Sequence, residues 1–405
     1  MQLPSDGCWV DDAAGLSRLC QHLAASPIVA LDTEFATEKR YYARFDLLQV
    51  GSPSILAAVD VHARIDLAPL MDLLADPSRT IVLHAGAYDV ELLLRSTGRV
   101  PATIFDTQVA AAMAGFGPQI GFGALVESVT GTALAKAETL IDWSQRPLRQ
   151  EQIEYALDDV RYLFPIHEAL VAKLAGLGRV EWLAEEMRRR YAAERFVERD
   201  ANECWRDARG LFGLTPRQIA IAREVCAWRE LSARKRDVPP RFLLQDDVIA
   251  AIARRAPSRV GELRDIRMIH PQTLTTSGDA IVNAVRRGAA ATEESLSALV
   301  AAPEGEAIAP GITTLLDAFI RARAEELSMA PYLLCPGGDL PLLVRDVRAG
   351  VESSASLLAG WRRELIGLDV VRLAKGEAAI RIDPATGKVV IEDLGGGPPG
   401  GPPAT

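Results

Sequence analysis

The 405-residue sequence has no long apolar run, few aromatic residues and only five cysteines. Without a stretch of about 18 or more apolar residues, no membrane-spanning helix is expected. The first residues lack a basic start and an apolar core, so a secretory signal peptide is not expected either. The cysteines are scattered, odd in number and never spaced as CxxC. This argues against a zinc site and predicts a cytoplasmic protein with reduced thiols and no membrane contact.

What is present is the composition of an ordinary globular protein, 49% apolar and 24% charged. The length predicts two or three domains, because a single core rarely grows so large. Short apolar runs at 28–32, 47–51, 55–60 and 81–84 are typical of strands. The first three follow one another closely, which favours an antiparallel meander, whereas helical stretches separate the later ones and indicate parallel crossovers. We therefore expect a mixed sheet with helices on its faces.

From about residue 148 onward the pattern is almost entirely helical. A long charged helix is predicted over 178–205, and Thr215 followed by Pro216 predicts the start of another helix. Residues 380–392 predict a β-hairpin. The resulting division is an α/β domain over 1–175, a connecting helix over 176–210, a helical module over 211–290, a linker over 291–311, a second helical module with the terminal hairpin over 312–392 and a disordered tail over 393–405.

Charge is distributed unevenly along the chain. Between Trp205 and Gly288, 16 Lys and Arg residues stand against 9 Asp and Glu residues, although the whole chain has a formal net charge of −9. This module therefore has a net charge of +7, and the remainder of the chain is strongly acidic. A basic module joined to an acidic one hints at a nucleic-acid partner.

Two carboxylates lie in a stretch that is otherwise typical of a buried strand. Asp32 and Glu34 belong to LDTEF at 31–35 and project from one strand face, because side chains alternate with period two. Strand interiors disfavour carboxylates, and burying an unpaired charge is costly. The pair is explained either by a strand edge that reaches solvent or by a site that uses both acids.

Two further positions have similar alternatives. Asp89 lies in the first turn of a helix that follows the strand ending at His84, where it could simply complement the helix dipole. Tyr155 and Asp159 are four residues apart on an amphipathic helix and project together, either as a solvated pair or as part of a site. One site that gathers all of these residues explains the three positions together.

Four converging carboxylates need cations between them. At about 4 Å each pair repels by roughly 4 kcal/mol at an effective dielectric constant near 20. Oxygen ligands favour Mg²⁺ or Mn²⁺ over zinc, and two such ions about 4 Å apart stabilise both the attacking and the leaving oxygen of a phosphodiester displacement. The sequence therefore predicts a hydrolytic site with two divalent metal ions, Mg²⁺ or Mn²⁺, and with no small-molecule cofactor. A phenol beside the metals could orient the attacking water.

Three short segments resemble the motifs of the DEDD exonucleases. They are DTE at 32–34, HAGAYD at 84–89 and YALDD at 155–159. The Tyr-xxx-Asp form of the third motif is typical of the tyrosine-type branch. The segment DWSQRPLRQEQIEYALDDVRYLFPI at 142–166 is similar to the corresponding segment of the ribonuclease D family.

The resemblance continues beyond these motifs. Residues 214–253 are similar to the HRDC domain, a helical module shared by helicases and the ribonuclease D family, and GWRRELIG at 360–367 resembles the C-terminal part of that family. A helicase is excluded, because the sequence has no GxxxxGK[ST] phosphate loop. The implied fold class is α/β plus all-α, with a ribonuclease H-like exonuclease domain followed by two small helical, HRDC-like domains.

The resemblance also implies a role for each site residue. The metal-site acids would be Asp32, Glu34, Asp89 and Asp159. Asp32 would touch both ions, Asp89 would act through a bound water, and Tyr155 would position the nucleophilic water. Asp106, which follows the next strand, is interpreted as a helix cap or an outer-shell group and not as a ligand.

The implied reaction is 3′-to-5′ hydrolysis of RNA with release of nucleoside 5′-monophosphates. The expected partner is RNA with a single-stranded 3′ end, above all transfer RNA precursors and other small structured RNAs. No motif visibly contacts a 2′-hydroxyl, so a 3′-to-5′ DNA exonuclease in repair stays open. A catalytically silent RNA-binding scaffold is the third hypothesis, although a silent site has no reason to keep crowded carboxylates.

A short run of positive charge in the basic module has two interpretations. Arg234, Lys235 and Arg236, with Arg241 after two prolines, form either a solvated helix end or a surface that contacts phosphates and guides the substrate. Aromatic stacking partners are sparse, because Trp228 and Phe242 are expected in the core. Binding would then be electrostatic and only weakly sequence-specific.

Overall fold

The structure is a computed structural model that describes residues 7–134, 141–300 and 310–394. These residues form two compact units. The first contains residues 7–33, 47–134, 141–195 and 310–394, and the second contains residues 34–46 and 196–300. The division passes through two strands of one sheet, so the tips of those strands are counted with the second unit.

Six strands form the main sheet. They are β1 Gly7–Val10, β2 Ile28–Ala36, β3 Arg44–Ser52, β4 Ile55–Val59, β5 Thr80–Leu83 and β6 Ile104–Asp106. Their order is β1-β4-β3-β2-β5-β6. β3 and β4 are antiparallel, as their short link predicts, whereas β1 is parallel to β4, β5 to β2 and β6 to β5. The predicted mixed sheet is confirmed, and β1 is a strand that the sequence analysis missed.

Helices make up most of the remaining described chain. They are α1 Ala13–Ala24, α2 Ala68–Leu74, α3 Ala87–Thr97, α4 Thr107–Ala114, α5 Phe122–Thr130, α6 Gln150–Arg161, α7 Leu163–Gly176, α8 Val180–Arg190, α9 Pro216–Arg236, α10 Pro240–Leu243, α11 Asp246–Arg255, α12 Val260–Leu263, α13 Pro271–Ala289, α14 Glu293–Val300, α15 Pro310–Glu326, α16 Pro331–Leu334, α17 Asp339–Ala349, α18 Gly360–Arg362 and α19 Leu368–Lys375. An antiparallel pair, β7 Ala378–Ile382 and β8 Val389–Asp393, confirms the predicted hairpin. The predicted fold class is confirmed.

Helices from both ends of the first unit share one hydrophobic core. Leu157 of α6 and Phe319 of α15 belong to the same buried cluster. Burying a side chain of this size stabilises the fold by roughly 1.5–3 kcal/mol. Arg179 connects the two parts, because its guanidinium donates to the carbonyl oxygens of Met113 at 2.7 Å and Leu327 at 2.6 Å. The C-terminal helices therefore bury their apolar faces against the α/β part.

A buried ion pair joins the same two parts. Glu186 of α8 and Arg362 of α18 form a salt bridge, and their side chains are 0% and 1% exposed. Arg189 and Arg190 also pair with Glu186, at 2.7 Å and 2.5 Å. The Nε of Arg362 donates to the carbonyl oxygen of Leu333 at 2.6 Å. Such charges are tolerated in the interior only when they are paired and hydrogen-bonded.

The second unit is built around the long helix α9. Thr215 caps this helix in a reciprocal capping box with Gln218, and Pro216 occupies its first turn, which confirms the predicted helix start. α13 approaches α9 so closely at Gly288 that a Cβ there would lie 2.5 Å from the Cα of Ile221. Only glycine permits this approach without a shift of the backbone.

The connection after α7 differs from the predicted single helix. α8 ends at Arg190, and two 3₁₀ helices follow at Ala193–Phe196 and Ala201–Asp207. The side chain of Asp200 accepts a hydrogen bond from the Asn202 amide at 2.9 Å, and this local bond competes with a continuous helix. The prediction of one helix over 178–205 is therefore wrong, whereas the domain boundaries stay predictions.

Two predicted segments are only partly described. α14 occupies part of the predicted linker at 291–311, and residues 301–309 lie outside the described residues. Of the predicted tail at 393–405, residues 395–405 also lie outside the described residues. Within the described ranges, every helix is too short or too polar to cross a membrane.

Candidate active site

Strand β2 places the first two acids of the site. Asp32 and Glu34 are half-buried, whereas Thr33 between them is buried. The alternation follows from strand geometry, in which residues two apart share a face. The strand therefore continues through LDTEF with both carboxylates on one side, as the sequence predicts.

Helix α6 brings a third acid to this strand. One carboxylate oxygen each from Asp32, Glu34 and Asp159 lies within 4.8 Å of the other two. Three carboxylates at such distances repel one another unless a cation or a proton relieves the charge. Their oxygens are the hard ligands that Mg²⁺, Ca²⁺ and Mn²⁺ prefer. We call these residues the three-acid group, and its donor set fits a divalent metal ion.

The fourth predicted acid is next to β2 but outside the three-acid group. Asp89 lies in the first turn of α3 and is buried, and its carboxylate accepts a hydrogen bond from the Thr33 hydroxyl. Thr33 is the residue between Asp32 and Glu34. The structure therefore brings three of the four predicted acids into one group and ties the fourth to the same strand.

Burial changes the acidity of two of these carboxyl groups. Burial, reinforced by the nearby charge of Asp158, raises the pKa of Asp159 to about 7. Burial also raises the pKa of Asp89 to about 6, and hydrogen bonds from Thr33 only partly oppose it. A carboxylate must lose its proton before it binds a cation, so these shifts make cation binding stronger as the pH rises through this range.

Tyr155 lies on α6 one turn before Asp159, as the spacing predicts. Its half-buried ring stacks on Trp143, with ring centroids 6.3 Å apart and planes 28° apart. Trp143 is buried in the core of the first unit. The sequence analysis did not assign a role to Trp143, although the DW pair that precedes α6 was a visible signal.

The segment that carries Trp143 is fixed to the sheet by one arginine. Arg146 donates to both carboxylate oxygens of Asp60, just after β4, at 2.9 Å and 2.7 Å. It also donates to the carbonyl oxygen of Trp143 at 2.7 Å. A bidentate guanidinium–carboxylate pair fixes direction as well as distance. Arg146 and Asp60 therefore position the segment that supports Tyr155, and sequence reasoning missed both residues.

Asp106 has the supporting role that the sequence predicts. It caps α4 through a hydrogen bond from the Gln108 amide at 2.9 Å, and it accepts another from the Ala85 amide at 2.9 Å. Tyr191 donates its hydroxyl proton to the same carboxylate at 2.7 Å. Asp106 thereby fixes the turn that leads into α3 and Asp89, so the predicted helix cap is confirmed.

The predicted basic residues have unequal surroundings in the second unit. Arg234 pairs with Glu230 at 3.0 Å and with Glu198 at 3.3 Å, and its side chain is only 12% exposed. Lys235 and Arg236 are exposed. Contact of these residues with a nucleic acid stays a prediction. Arg234 already pairs with two acids of its own unit.

An open cavity lies beside the end of α9. Its volume is about 530 Å³, and Arg236, Phe242 and His270 are among its lining residues. Phe242 is 52% exposed, so the expectation that it belongs to the core is wrong. The guanidinium of Arg241 lies 5.7 Å from the centre of the Phe242 ring.

These elements match two known families. Residues 8–175 match the 3′–5′ exonuclease family, and residues 218–285 match the HRDC domain. The fold and the candidate site thus define the class, a 3′–5′ exonuclease with an HRDC domain.

Full-length comparisons identify the family within that class. The chain is 36% identical over 373 residues to ribonuclease D of Acidiphilium cryptum, covering 92% of this chain and 94% of that relative. It is 34% identical over 371 residues to ribonuclease D of Granulibacter bethesdensis, covering 91% and 92%. The crystal structure of Escherichia coli RNase D is similar with a TM-score of 0.82 and 28% identity, covering 92% of this chain and 99% of that one. The chain belongs to the ribonuclease D family, and the predicted exoribonuclease class is confirmed.

Proposed function

We propose that this enzyme hydrolyses RNA from its 3′ end in the 3′-to-5′ direction and releases nucleoside 5′-monophosphates. The observation that carries the proposal is the three-acid group, in which carboxylate oxygens of Asp32, Glu34 and Asp159 approach within 4.8 Å of one another. A cluster of this kind suits divalent ions at a phosphodiester and has no evident structural use. Membership of the ribonuclease D family supports the same reaction.

Two divalent ions, Mg²⁺ or Mn²⁺, are proposed for this site. Such ions supply charge stabilisation to the attacking and leaving oxygens of the phosphodiester. Asp32, Glu34 and Asp159 would hold them directly, and Asp32 would contact both ions. Asp89, now bonded to Thr33, would contribute from the side of α3.

Tyr155 is proposed to hold the attacking water. Its ring is fixed by the stack on Trp143, and its position on α6 is one turn from Asp159. A phenol can both donate and accept a hydrogen bond, so it can orient a water without taking its proton. The proton of the water would pass to a carboxylate of the site or to solvent.

The proposed substrate is RNA with a single-stranded 3′ end, in particular a transfer RNA precursor. The E. coli relative is described as an exoribonuclease involved in structured RNA processing, which supports this substrate class. Lys235, Arg236 and Arg241 would contact phosphates of the strand, whereas Arg234 is committed to Glu230 and Glu198. The five free cysteines suit a cytoplasmic location, where thiols stay reduced.

The test is digestion of a 3′-extended transfer RNA precursor beside a matched single-stranded DNA. The wild type is expected to shorten the RNA with Mg²⁺ or Mn²⁺, to stop in EDTA and to resume when the ion is restored. Asp32→Ala should abolish the cleavage. Equal or faster digestion of DNA would favour a repair exonuclease, and intact RNA in every reaction would favour a silent RNA-binding scaffold.

A further inference from the structure

The connection between β2 and β3 packs with the helical module and not with the sheet alone. Residues 34–46, which include Glu34, belong to the same compact unit as residues 196–300. We call residues 37–43, which follow the end of β2 at Ala36, the β2–β3 loop. The contacts of this loop within the second unit have no role in the function described so far.

One carboxylate of the helical module binds three groups of the β2–β3 loop. Asp237 accepts hydrogen bonds from the backbone amides of Tyr41 at 3.2 Å and Tyr42 at 3.0 Å. It also pairs with the guanidinium of Arg40 at 2.7 Å. The hydrogen bond from the Tyr42 amide is the largest of the effects that lower the pKa of Asp237, so its carboxylate is charged at neutral pH. Charge-assisted bonds of this kind are stronger than neutral ones.

The side chains of Tyr41 and Tyr42 add further hydrogen bonds to acids of the second unit. The Tyr41 hydroxyl bonds to the Glu230 carboxylate, and Arg234 donates its Nε–H to the same hydroxyl at 3.1 Å. The Tyr42 hydroxyl donates to Glu198 at 2.6 Å. Arg40, Tyr41 and Tyr42 of the loop are therefore all held by acids of the second unit.

The backbone conformation at Asp237 determines which substitution tests its side chain. Asp237 ends α9 in the left-handed region, with φ +50° and ψ +51°. Glycine is the usual residue there, because a Cβ makes this conformation less favourable. Aspartate tolerates it better than most residues but still without the freedom of glycine. The three partners of this carboxylate, and not the backbone conformation, point to a use for it.

We propose that Asp237 is a positioning residue for Glu34, because it holds the β2–β3 loop and thereby fixes the end of the strand that carries this acid. The helical module would then have a second task besides contacting RNA, since it would complete the geometry of the three-acid group. This inference rests on the proposed function, in which Glu34 is a metal ligand.

Asp237→Gly is the decisive variant. Glycine suits the left-handed conformation, so α9 should end as before, whereas all three bonds to the loop are lost. We expect amide hydrogen exchange in residues 37–46 to quicken by about tenfold or more, because Tyr41 and Tyr42 lose their acceptor. We expect kcat on RNA to fall by about 10- to 100-fold with KM little changed, since a misplaced ligand affects chemistry more than substrate binding.

A matched control exists in the same unit. Ala256 ends α11 in the left-handed region with φ +46°, and its methyl group offers no hydrogen bond. Ala256→Gly makes the same backbone change without removing an acceptor, so exchange in 37–46 and kcat should stay at the wild-type level. Asp237→Asn retains an acceptor oxygen and tolerates the left-handed region, so it should recover most of kcat.

Titration calorimetry with Mn²⁺ gives a second measurement that needs no RNA. Asp237→Gly should bind Mn²⁺ more weakly than the wild type and Ala256→Gly. Unchanged exchange in 37–46, unchanged kcat, or a change confined to KM would each overturn the proposal. Failure of the wild type to degrade RNA would instead contradict the proposed function, and exchange and Mn²⁺ binding would still decide the role of Asp237.

Discussion

Asp159 of the candidate site is half-buried and Glu186 of the core is fully buried, yet their pKa values move in opposite directions. Burial and the neighbouring Asp158 raise the pKa of Asp159 to about 7. Burial acts on Glu186 in the same sense, but the guanidinium groups of Arg189, Arg362 and Arg190 outweigh it and lower the pKa to about 2. The difference comes from the neighbours and not from the degree of burial.

The comparison separates an acid that is paired in the core from an acid of the candidate site. Three arginines of the chain itself pair with Glu186, so its negative charge is neutralised within the protein and stabilises the fold. The neighbours of Asp159 are other acids, Asp32 and Glu34, so its charge calls for a cation from outside the chain. A perturbed carboxyl group beside other carboxylates is a feature of functional sites, whereas an arginine-paired one is typical of a core.

The largest expected effect comes from neutralising Asp159. Asp159→Asn should lower kcat on RNA by on the order of 100- to 1,000-fold, because one ligand of the proposed ions is lost. In EDTA at pH 8 the same variant should melt at a higher temperature than the wild type, because the ionised Asp159 destabilises the folded state there. Thermal unfolding and single-turnover cleavage measure the two effects.

The sign of this stability effect follows from the direction of the shift. The pKa of Asp159 is raised in the folded state, so its unfavourable contribution grows as the pH rises from the unfolded value of 3.8 to about 7. The advantage of Asp159→Asn should therefore disappear as the pH is lowered towards 4. Glu151→Gln, at an exposed position in the first turn of α6, is the control and should not raise the melting temperature. A lower melting temperature for Asp159→Asn at pH 8 would contradict the prediction.

The opposite outcome is expected at the structural acid. Glu186→Gln leaves Arg362, 1% exposed, without its anionic partner. The free energy of unfolding should fall by about 3–5 kcal/mol, since breaking a buried pair strands a charge. Urea unfolding measures the change. Glu181→Gln, on the exposed first turn of the same helix, should lose less than about 1 kcal/mol.

The stability contributed by the Glu186–Arg362 pair should depend on pH in the opposite sense to the effect of Asp159. The pKa of Glu186 is lowered from 4.5 to about 2, so its stabilising contribution is complete above about pH 4.5 and is lost as the pH falls towards 2. The difference in urea midpoint between the wild type and Glu186→Gln should therefore be constant above pH 5 and should narrow at pH 3. A difference that does not depend on pH in this range would show that charge is not its origin.

Much of the fold and of the site could be predicted because it depends on local patterns. Period-two alternation places Asp32 and Glu34 on one strand face, and a spacing of four places Tyr155 beside Asp159. The capped start of α9 and the terminal hairpin follow from short sequence signals of the same kind. Such features are encoded within a few residues and need no knowledge of distant neighbours.

The features that could not be predicted depend on contacts between distant residues. Glu186 and Arg362 are 176 residues apart in sequence, so neither residue by itself indicates the pair. Arg234 belongs to a basic run, yet its pairing with the distant Glu198 becomes visible only in the fold. The direction of the Asp89 side chain is set by Thr33, 56 residues away, and not by its own helix.

The smallest expected effect distinguishes two aromatic stacks of the first unit. Trp143 stacks on Tyr155 at the candidate site, and Trp182 stacks on Trp361 in the core with centroids 5.0 Å apart. An aromatic pair contributes about 0.5–1.5 kcal/mol beyond burial, so both Trp143→Leu and Trp182→Leu should lower stability by at least that amount. Only Trp143→Leu should also lower kcat, because the Tyr155 ring loses its stacking partner and orients the attacking water less well. The expected decrease is about 2- to 10-fold. Single-turnover cleavage, measured well below the melting temperatures of both variants, separates an effect on catalysis from an effect on stability. An equal loss of kcat in both variants would mean that the stack on Tyr155 acts through stability alone.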